Sequence, residues 1–367
     1  MNVNVAILWE QGQPLSVEEA ELAAPGRGEV LVEMKAAGVC QSDLHPARGD
    51  WRTRTPLALG HEGAGIVRGL GEGVSSVHIG DHVVLCWAPA CRVCVPCKLG
   101  QPVLCDRLER TTYRNRLPSG GTRLRARNQD ILHFNSTACF ADFAVVSEQG
   151  IVRVPPHIPF SSLATLGCAV ITGMGAVNNV AKLSGRENVV VIGAGGVGLN
   201  VVQGAKIAGC TEIIAVDTKP KPLQLALKFG ATETIDAATK DVRDVVLQLT
   251  EGRGADFVFD TVATTTTVEQ SLNLARKGGT VIVSGLARTD SLLSVPIFPF
   301  VMQEKRIIGS VYGSGDPLKD INKLVKLYEQ GVLKLEELVA RDYRLVQVNE
   351  ALSALAAGEG ARGIILW

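Results

Sequence analysis

Four of the nine cysteines in this 367-residue chain fall within residues 91–105, in the stretch CRVCVPCKLGQPVLC. Two residues separate Cys91 from Cys94 and Cys94 from Cys97, and seven lie before Cys105. Four thiolates close a tetrahedral zinc site and leave no open position, so the group would staple a loop rather than carry out a reaction. A redox C-x-x-C pair is a rival reading, but it gives the third cysteine no role. A zinc ribbon for nucleic acid is another, and it would need a basic surface. The run RTTYRNRLPSGGTRLRARNQD at 110–130 carries six arginines, but it is local and reads as a solvated loop.

A second set of potential ligands is scattered. GVCQSDLH places Cys40, Ser42 and His45 within six residues, GHEGAG adds His61 and Glu62, and LGCAVITG offers Cys168. Taken singly, each is a core thiol or an ordinary hydrogen-bonding histidine. Together, Cys40, His61 and Cys168 make the Cys₂His combination of a catalytic zinc with a fourth position open to substrate.

A third motif, VIGAGGVG, reads as a buried strand running into G-x-G-x-x-G at Gly193, Gly195 and Gly198, with Gly196 and Val197 inside the turn. Glycines here let the backbone approach a pyrophosphate held at a helix N-terminus. Asp217 ends the next strand, 19 residues after Gly198, at the offset of a carboxylate that binds the adenosine ribose. An acid there repels a 2′-phosphate, so the expected coenzyme is NAD rather than NADP.

The elements that must position these groups differ between two regions. Up to about residue 169, short alternating apolar runs such as EVLVEMKAAGV are divided by glycine and proline, as in an antiparallel β domain. From Glu187 the texture becomes strand–helix alternation: NVVVI, LNVVQGAKIAG, TEIIAVD, PLQLALKFGA, ADFVFDTV, TVEQSLNLARKGG and TVIVSGL. That pattern predicts an α/β, doubly wound parallel sheet. A helix DINKLVKLYEQG and a strand RGIILW follow. The expected arrangement is a nucleotide domain at 170–310 inserted into a discontinuous β-rich domain at 1–169 and 311–367.

Lys plus Arg and Asp plus Glu number 37 each, so no global charge draws the chain to nucleic acid or an anionic membrane. The N-terminus lacks the basic segment of a signal peptide, and no apolar run is expected to reach membrane-spanning length. These features predict a cytoplasmic protein, where clustered thiols stay reduced and serve as metal ligands.

GVCQSDLH, GHEGAG, the four-cysteine lobe, LGCAVITG and VIGAGGVGL together resemble the zinc-dependent medium-chain alcohol dehydrogenases, over nearly the whole chain and in the family's order. The resemblance implies a GroES-like β-rich catalytic domain with an inserted Rossmann domain, two Zn²⁺ per chain and NAD. It implies that Cys40, His61 and Cys168 hold the catalytic zinc, with Glu62 as a close neighbour or transient ligand and Asp43 orienting His61. Thr172 and Arg362 would contact the nicotinamide and pyrophosphate. Ser42 would take the substrate proton and pass it through the coenzyme ribose to His45. The 62 residues between Cys105 and Cys168 match the longer-loop branch, whose members are typically homodimers. Gln41 stands where many relatives have a basic residue, and Pro222 stands where they have a ribose-binding lysine. Glu109 occupies the place of an arginine in glutathione-dependent formaldehyde dehydrogenases, which argues against that substrate class. Trp51, Trp87 and Phe134 fall near pocket positions, so the expected substrates are primary, aromatic or allylic alcohols and their aldehydes. Two other readings remain: a nicotinoprotein that never releases NAD, and a non-enzymatic zinc and nucleotide binder.

Overall fold

The computed structural model describes residues 1–358 and 361–367. The chain divides into two compact units, 1–168 with 315–367, and 169–314.

In the first unit the strands Asn2–Leu8, Ser16–Leu22, Leu124–Ala126, Gln129–His133 and Leu57–Ala58 close into a barrel. A larger sheet runs Ile151–Val154, His82–Leu85, Glu62–Leu70, Glu29–Val39, Arg362–Leu366 and Val339–Tyr343, with Phe143–Ser147 also paired to Glu29–Val39. Val30, Val32 and Met34 alternate inward along Glu29–Val39, as a half-buried strand requires. Two strand pairs depart from the antiparallel expectation: Leu57–Ala58 with Gln129–His133, and Val339–Tyr343 with Arg362–Leu366. The helix Val348–Ala357 joins the latter two strands, and a helical crossover is what parallel neighbours need.

The second unit is a six-stranded sheet in which every adjacent pair is parallel. Its order is Glu233–Asp236, Glu212–Asp217, Asn188–Ile192, Ala255–Asp260, Ala275–Val283, Arg306–Gly309. Chain order reverses beside Asn188–Ile192, the place where open α/β sheets bind their ligands. The two prolines of TKPKP fall in the first turn of the helix Pro220–Phe229, where a missing N–H costs nothing. The helix expected across 267–279 instead ends at Leu274, and Ala275–Val283 is strand. Gly278 at φ 70° and its neighbour Gly279 are poor helix formers, so the sheet takes that segment.

One expectation is overturned. Residues 160–181 contain no charged side chain and form a 22-residue helix long and apolar enough to cross a membrane. Eighty-nine per cent of its apolar window is buried inside the protein, which gives its hydrophobicity a packing role. Its serines, threonines, glycines and asparagines hid it from a search for continuous large apolar residues.

Candidate metal centre and dinucleotide turn

Four separate elements of the first unit deliver one cluster. Cys40 caps the helix Gln41–Arg48 at the end of strand Glu29–Val39. His61 immediately precedes the strand Glu62–Leu70, which Glu62 opens. Cys168 lies in a π-helical turn, Leu166–Val170, a local distortion common at functional sites. One ligand atom each from Cys40, His61, Glu62 and Cys168 lies within 4.8 Å of all the others, and all four residues are buried. Tetrahedral zinc ligands held at about 2.3 Å lie roughly 3.8 Å apart, inside the 4.8 Å limit that these four atoms satisfy. Gly38 faces Glu62 across the two strands, and a Cβ there would collide with the Glu62 carboxylate.

Asp43 organises the cluster from a fully buried position. Its Oδ1 lies 3.0 Å from His61 Nδ1 and accepts the Gly60 N–H at 3.1 Å, while Oδ2 accepts the Cys40 N–H at 3.1 Å. With Nδ1 committed to Asp43, His61 Nε2 is buried and has no hydrogen-bond partner among the described residues. An orphan imidazole nitrogen beside two buried thiols is the donor set a zinc ion would satisfy. Burial alone would keep His61 neutral, but Asp43 and Cys40 outweigh it and raise its pKa well above the usual value. Cys168 donates to Cys40, and with help from Arg362 and His61 this holds Cys40 well down. The same shared proton, together with burial, pushes Cys168 well up. A cation at this place would compete for those protons.

Arg362 closes the other side. It donates to Glu62 at 2.8 Å and to the Val39 carbonyl at 3.0 Å, and it approaches Cys40 Sγ at 3.7 Å. Burial raises the Glu62 pKa to about 8 against the opposing pull of Arg362. Glu62 Oε2 and Arg362 Nε have no partners among the described residues.

The second cluster, Cys91, Cys94, Cys97 and Cys105, also falls within 4.8 Å. Cys94 and Cys105 sulfurs are 3.7 Å apart, Cys91 Sγ accepts the Cys94 N–H at 3.4 Å, and Cys105 Sγ accepts the Cys91 N–H at 3.3 Å. Backbone N–H donors, Val93 first, lower Cys91 to about 6, whereas burial lifts Cys97 to about 12. Arg92, between the first two cysteines, makes a bidentate pair with Asp316 at 2.7 and 2.9 Å.

In the second unit, Gly198 packs so closely on the Gly193 carbonyl that any Cβ would overlap it. A Cβ on Gly195 would meet nothing within 4 Å, which leaves the space a phosphate needs at the N-cap of the helix Gly196–Ile207. Gly195 is exposed, and Gly196 and Val197 are partly so. Asp217 ends its strand with Oδ2 accepting the Ala194 N–H at 2.9 Å and Oδ1 accepting the Lys219 N–H at 3.0 Å, which ties it to the turn. Pro222 is buried in the following helix.

Comparison with known proteins agrees with these features. Residues 26–156 match the alcohol dehydrogenase GroES-like domain, and residues 196–330 match the zinc-binding dehydrogenase domain. The chain is 39% identical over 370 residues to putative alcohol dehydrogenase D of Mycobacterium tuberculosis, covering 100% of both. It is 37% identical to an NDMA-dependent alcohol dehydrogenase of Amycolatopsis methanolica, covering 100% of this chain and 99% of that one. It belongs to the zinc-dependent medium-chain alcohol dehydrogenase family. Among solved structures, benzyl alcohol dehydrogenase from Acinetobacter calcoaceticus superposes with a TM-score of 0.93 at 30% identity, over 100% of this chain and 99% of that one.

The remaining expected residues of this dehydrogenase are spread more widely. His45 Nδ1 lies 3.1 Å from Asp50 Oδ2, and its ring stacks on Trp51 at 4.6 Å. Phe134 meets His61 edge-on at 5.5 Å, so it borders the metal cluster directly. Ser42 is half-buried in the first turn of the helix that Cys40 caps, and Trp87 is half-buried after strand His82–Leu85. Gln41 and Glu109 are exposed. Thr172 is buried on the helix Ile171–Gly175 of the second unit. Sequence reasoning missed Asp50 and Asp316. Asp50 could have been found as an acid five residues beyond a candidate relay histidine, whereas Asp316 has no local signal.

Proposed function

We propose that this dehydrogenase oxidises primary, aromatic or allylic alcohols with NAD and holds two zinc ions, one in each cysteine cluster. The observation that carries the reading is His61 Nε2, buried, without a hydrogen-bond partner among the described residues, and in one cluster with Cys40 and Cys168. When bound, zinc supplies a Lewis acid that eases loss of the hydroxyl proton, and NAD supplies the hydride acceptor. The chain's own residues do the rest. Asp43 fixes the His61 ring with Nε2 free, and Arg362 holds Glu62 beside the thiols. Ser42 accepts the substrate's proton and His45 releases it to solvent, with Asp50 setting the orientation of the imidazole. Phe134 against His61 supports an aromatic wall. Asp217, fixed by two backbone donors, supports NAD over NADP.

Turnover with a panel of alcohols and both coenzymes tests this. NAD should be preferred at least tenfold in kcat/KM, about 1.4 kcal/mol, and Asp217→Gly should narrow the gap. Cys168→Ala should cut kcat/KM about a thousandfold, about 4 kcal/mol, while the protein stays folded. Equal use of NAD and NADP would remove the role given to Asp217, and an active Cys168→Ala would remove the ligand set.

The NDMA-dependent relative favours a second reading, in which NAD is retained and reoxidised in place. NAD released on denaturing the purified protein would establish it. A homodimer of the longer-loop branch is the assembly proposed. The nine cysteines, none in a disulfide among the described residues, support a reducing compartment, the cytoplasm, as its location.

A further inference from the structure

Asp260 ends the strand Ala255–Asp260, fully buried beside the strand that runs into the glycine turn. Its Oδ1 accepts the N–H groups of Val262 at 2.9 Å and Ala263 at 2.8 Å. Its backbone carbonyl accepts those of Ser284 at 2.9 Å and Gly285 at 3.1 Å, which ties in the end of the next strand. Ala263 sits at φ 59°, a left-handed conformation unusual for a residue with a side chain, and the bond from its N–H to Asp260 holds it there.

The turn folded in this way is pressed onto the glycine motif. Thr261 donates its N–H to Ile192 O at 3.0 Å, and its hydroxyl lies 3.0 Å from the carbonyls of both Ile192 and Gly193. A Cβ on Gly193 would fall 2.6 Å from Val262 Cγ2 and 2.8 Å from Thr261 Oγ1. The carbonyl that Thr261 fixes is the one against which Gly198 packs, so one contact sets the width of the dinucleotide turn.

We propose that Asp260 is a positioning residue for the dinucleotide, acting through Thr261 to hold Gly193 and Gly198 at the separation the pyrophosphate needs. This rests on the reading that 193–198 binds NAD. Asp260 is fully buried and acts through the turn, so its removal should act on coenzyme affinity and leave the Cys40, His61 and Cys168 set of the other unit unchanged.

The test is titration calorimetry of NADH binding to the full-length enzyme and to the variants Asp260→Ala, Asp260→Asn and Thr261→Val, with zinc content and KM for NAD read alongside. Asp260→Ala and Thr261→Val should each weaken NADH at least tenfold and raise KM far more than they lower kcat, at unchanged zinc content. Asp260→Asn keeps an acceptor oxygen for Val262 and Ala263, so it should bind within about threefold of wild type. A merely structural role would lower thermal stability in all three without that affinity pattern. Should Asp260→Ala fail to fold, Thr261→Val carries the test alone, because it removes only the final contact. Wild-type affinity in folded Thr261→Val or Asp260→Ala overturns the inference while the NAD reading stands; absence of NADH binding by the wild type overturns both.

Discussion

His133 ends the barrel strand Gln129–His133 fully buried, with Nε2 accepting the Arg123 N–H at 3.1 Å and Nδ1 unpartnered among the described residues. Burial lowers its pKa from 6.5 to about 4. Protonating Nε2 would break its bond to Arg123 and strand a charge, so the unfolded chain binds the extra proton first. Stability should therefore be full above about pH 6.5 and be lost as pH falls toward 4, by on the order of 3 kcal/mol. Denaturant unfolding at several pH values checks this: His133→Gln should flatten that limb, and an unchanged slope would place the acid sensitivity elsewhere. At this scale, what could be read directly from the sequence was whatever chemistry uses close spacing. The four-cysteine lobe and the glycine turn are local, so their geometry is written in consecutive residues. Glu62 and Arg362 are 300 residues apart, and their pairing exists only because the last strand docks beside Glu29–Val39. No spacing rule reaches that far.

The elements show the same division. Strand–helix alternation was clear wherever period and propensity agreed, as in Asn188–Ile192 and Gly196–Ile207. It failed at Ala275–Gly279, where sheet pairing overrides a helical pattern. The cysteine lobe poses an energetic problem of its own. The helix Val95–Lys98 buries none of its residues, and Val93, Val95 and Leu99 are 69%, 67% and 71% exposed. Pro102 and Val103 are buried at one end, but 93–99 has little apolar burial, so this part of the lobe would draw its order from a metal held by the cysteines and from the Arg92–Asp316 pair. The full protein should carry close to two zinc per chain by metal analysis. Cys94→Ala should drop that to close to one and make 91–105 the first site of limited proteolysis, with soluble yield falling before activity per folded molecule. A Cys94→Ala protein that keeps both metals and the wild-type digestion pattern would show that the lobe orders itself.

At the scale of the molecule, the α/β fold class was legible in the strand–helix alternation that begins near residue 187, whereas the apolar helix of 160–181 was hidden by its small polar residues. Assembly into a homodimer, which the sequence suggests only through family resemblance, is a proposal that rests on one surface of the second unit. Arg306–Gly309 forms one edge of the six-stranded sheet and, among the described residues, pairs only with Ala275–Val283, so its outer backbone groups face away from the sheet. Beside it in sequence, the helix Ile297–Met302 buries none of its residues: Ile297 and Phe298 are 77% exposed, Val301 62% and Met302 67%. An open edge next to a large apolar surface is costly to leave in water and invites strand addition. A second copy of the chain related by a two-fold axis would present the same edge and the same side chains, covering both at once. The dehydrogenase should therefore run as a homodimer in size exclusion with light scattering. Each substitution at such an interface enters twice, so Phe298→Asp combined with Val301→Asp should weaken association at least a hundredfold, about 2.7 kcal/mol, and give monomers. A wild-type monomer, or a double variant that still dimerises, would show that this surface is not where two chains meet.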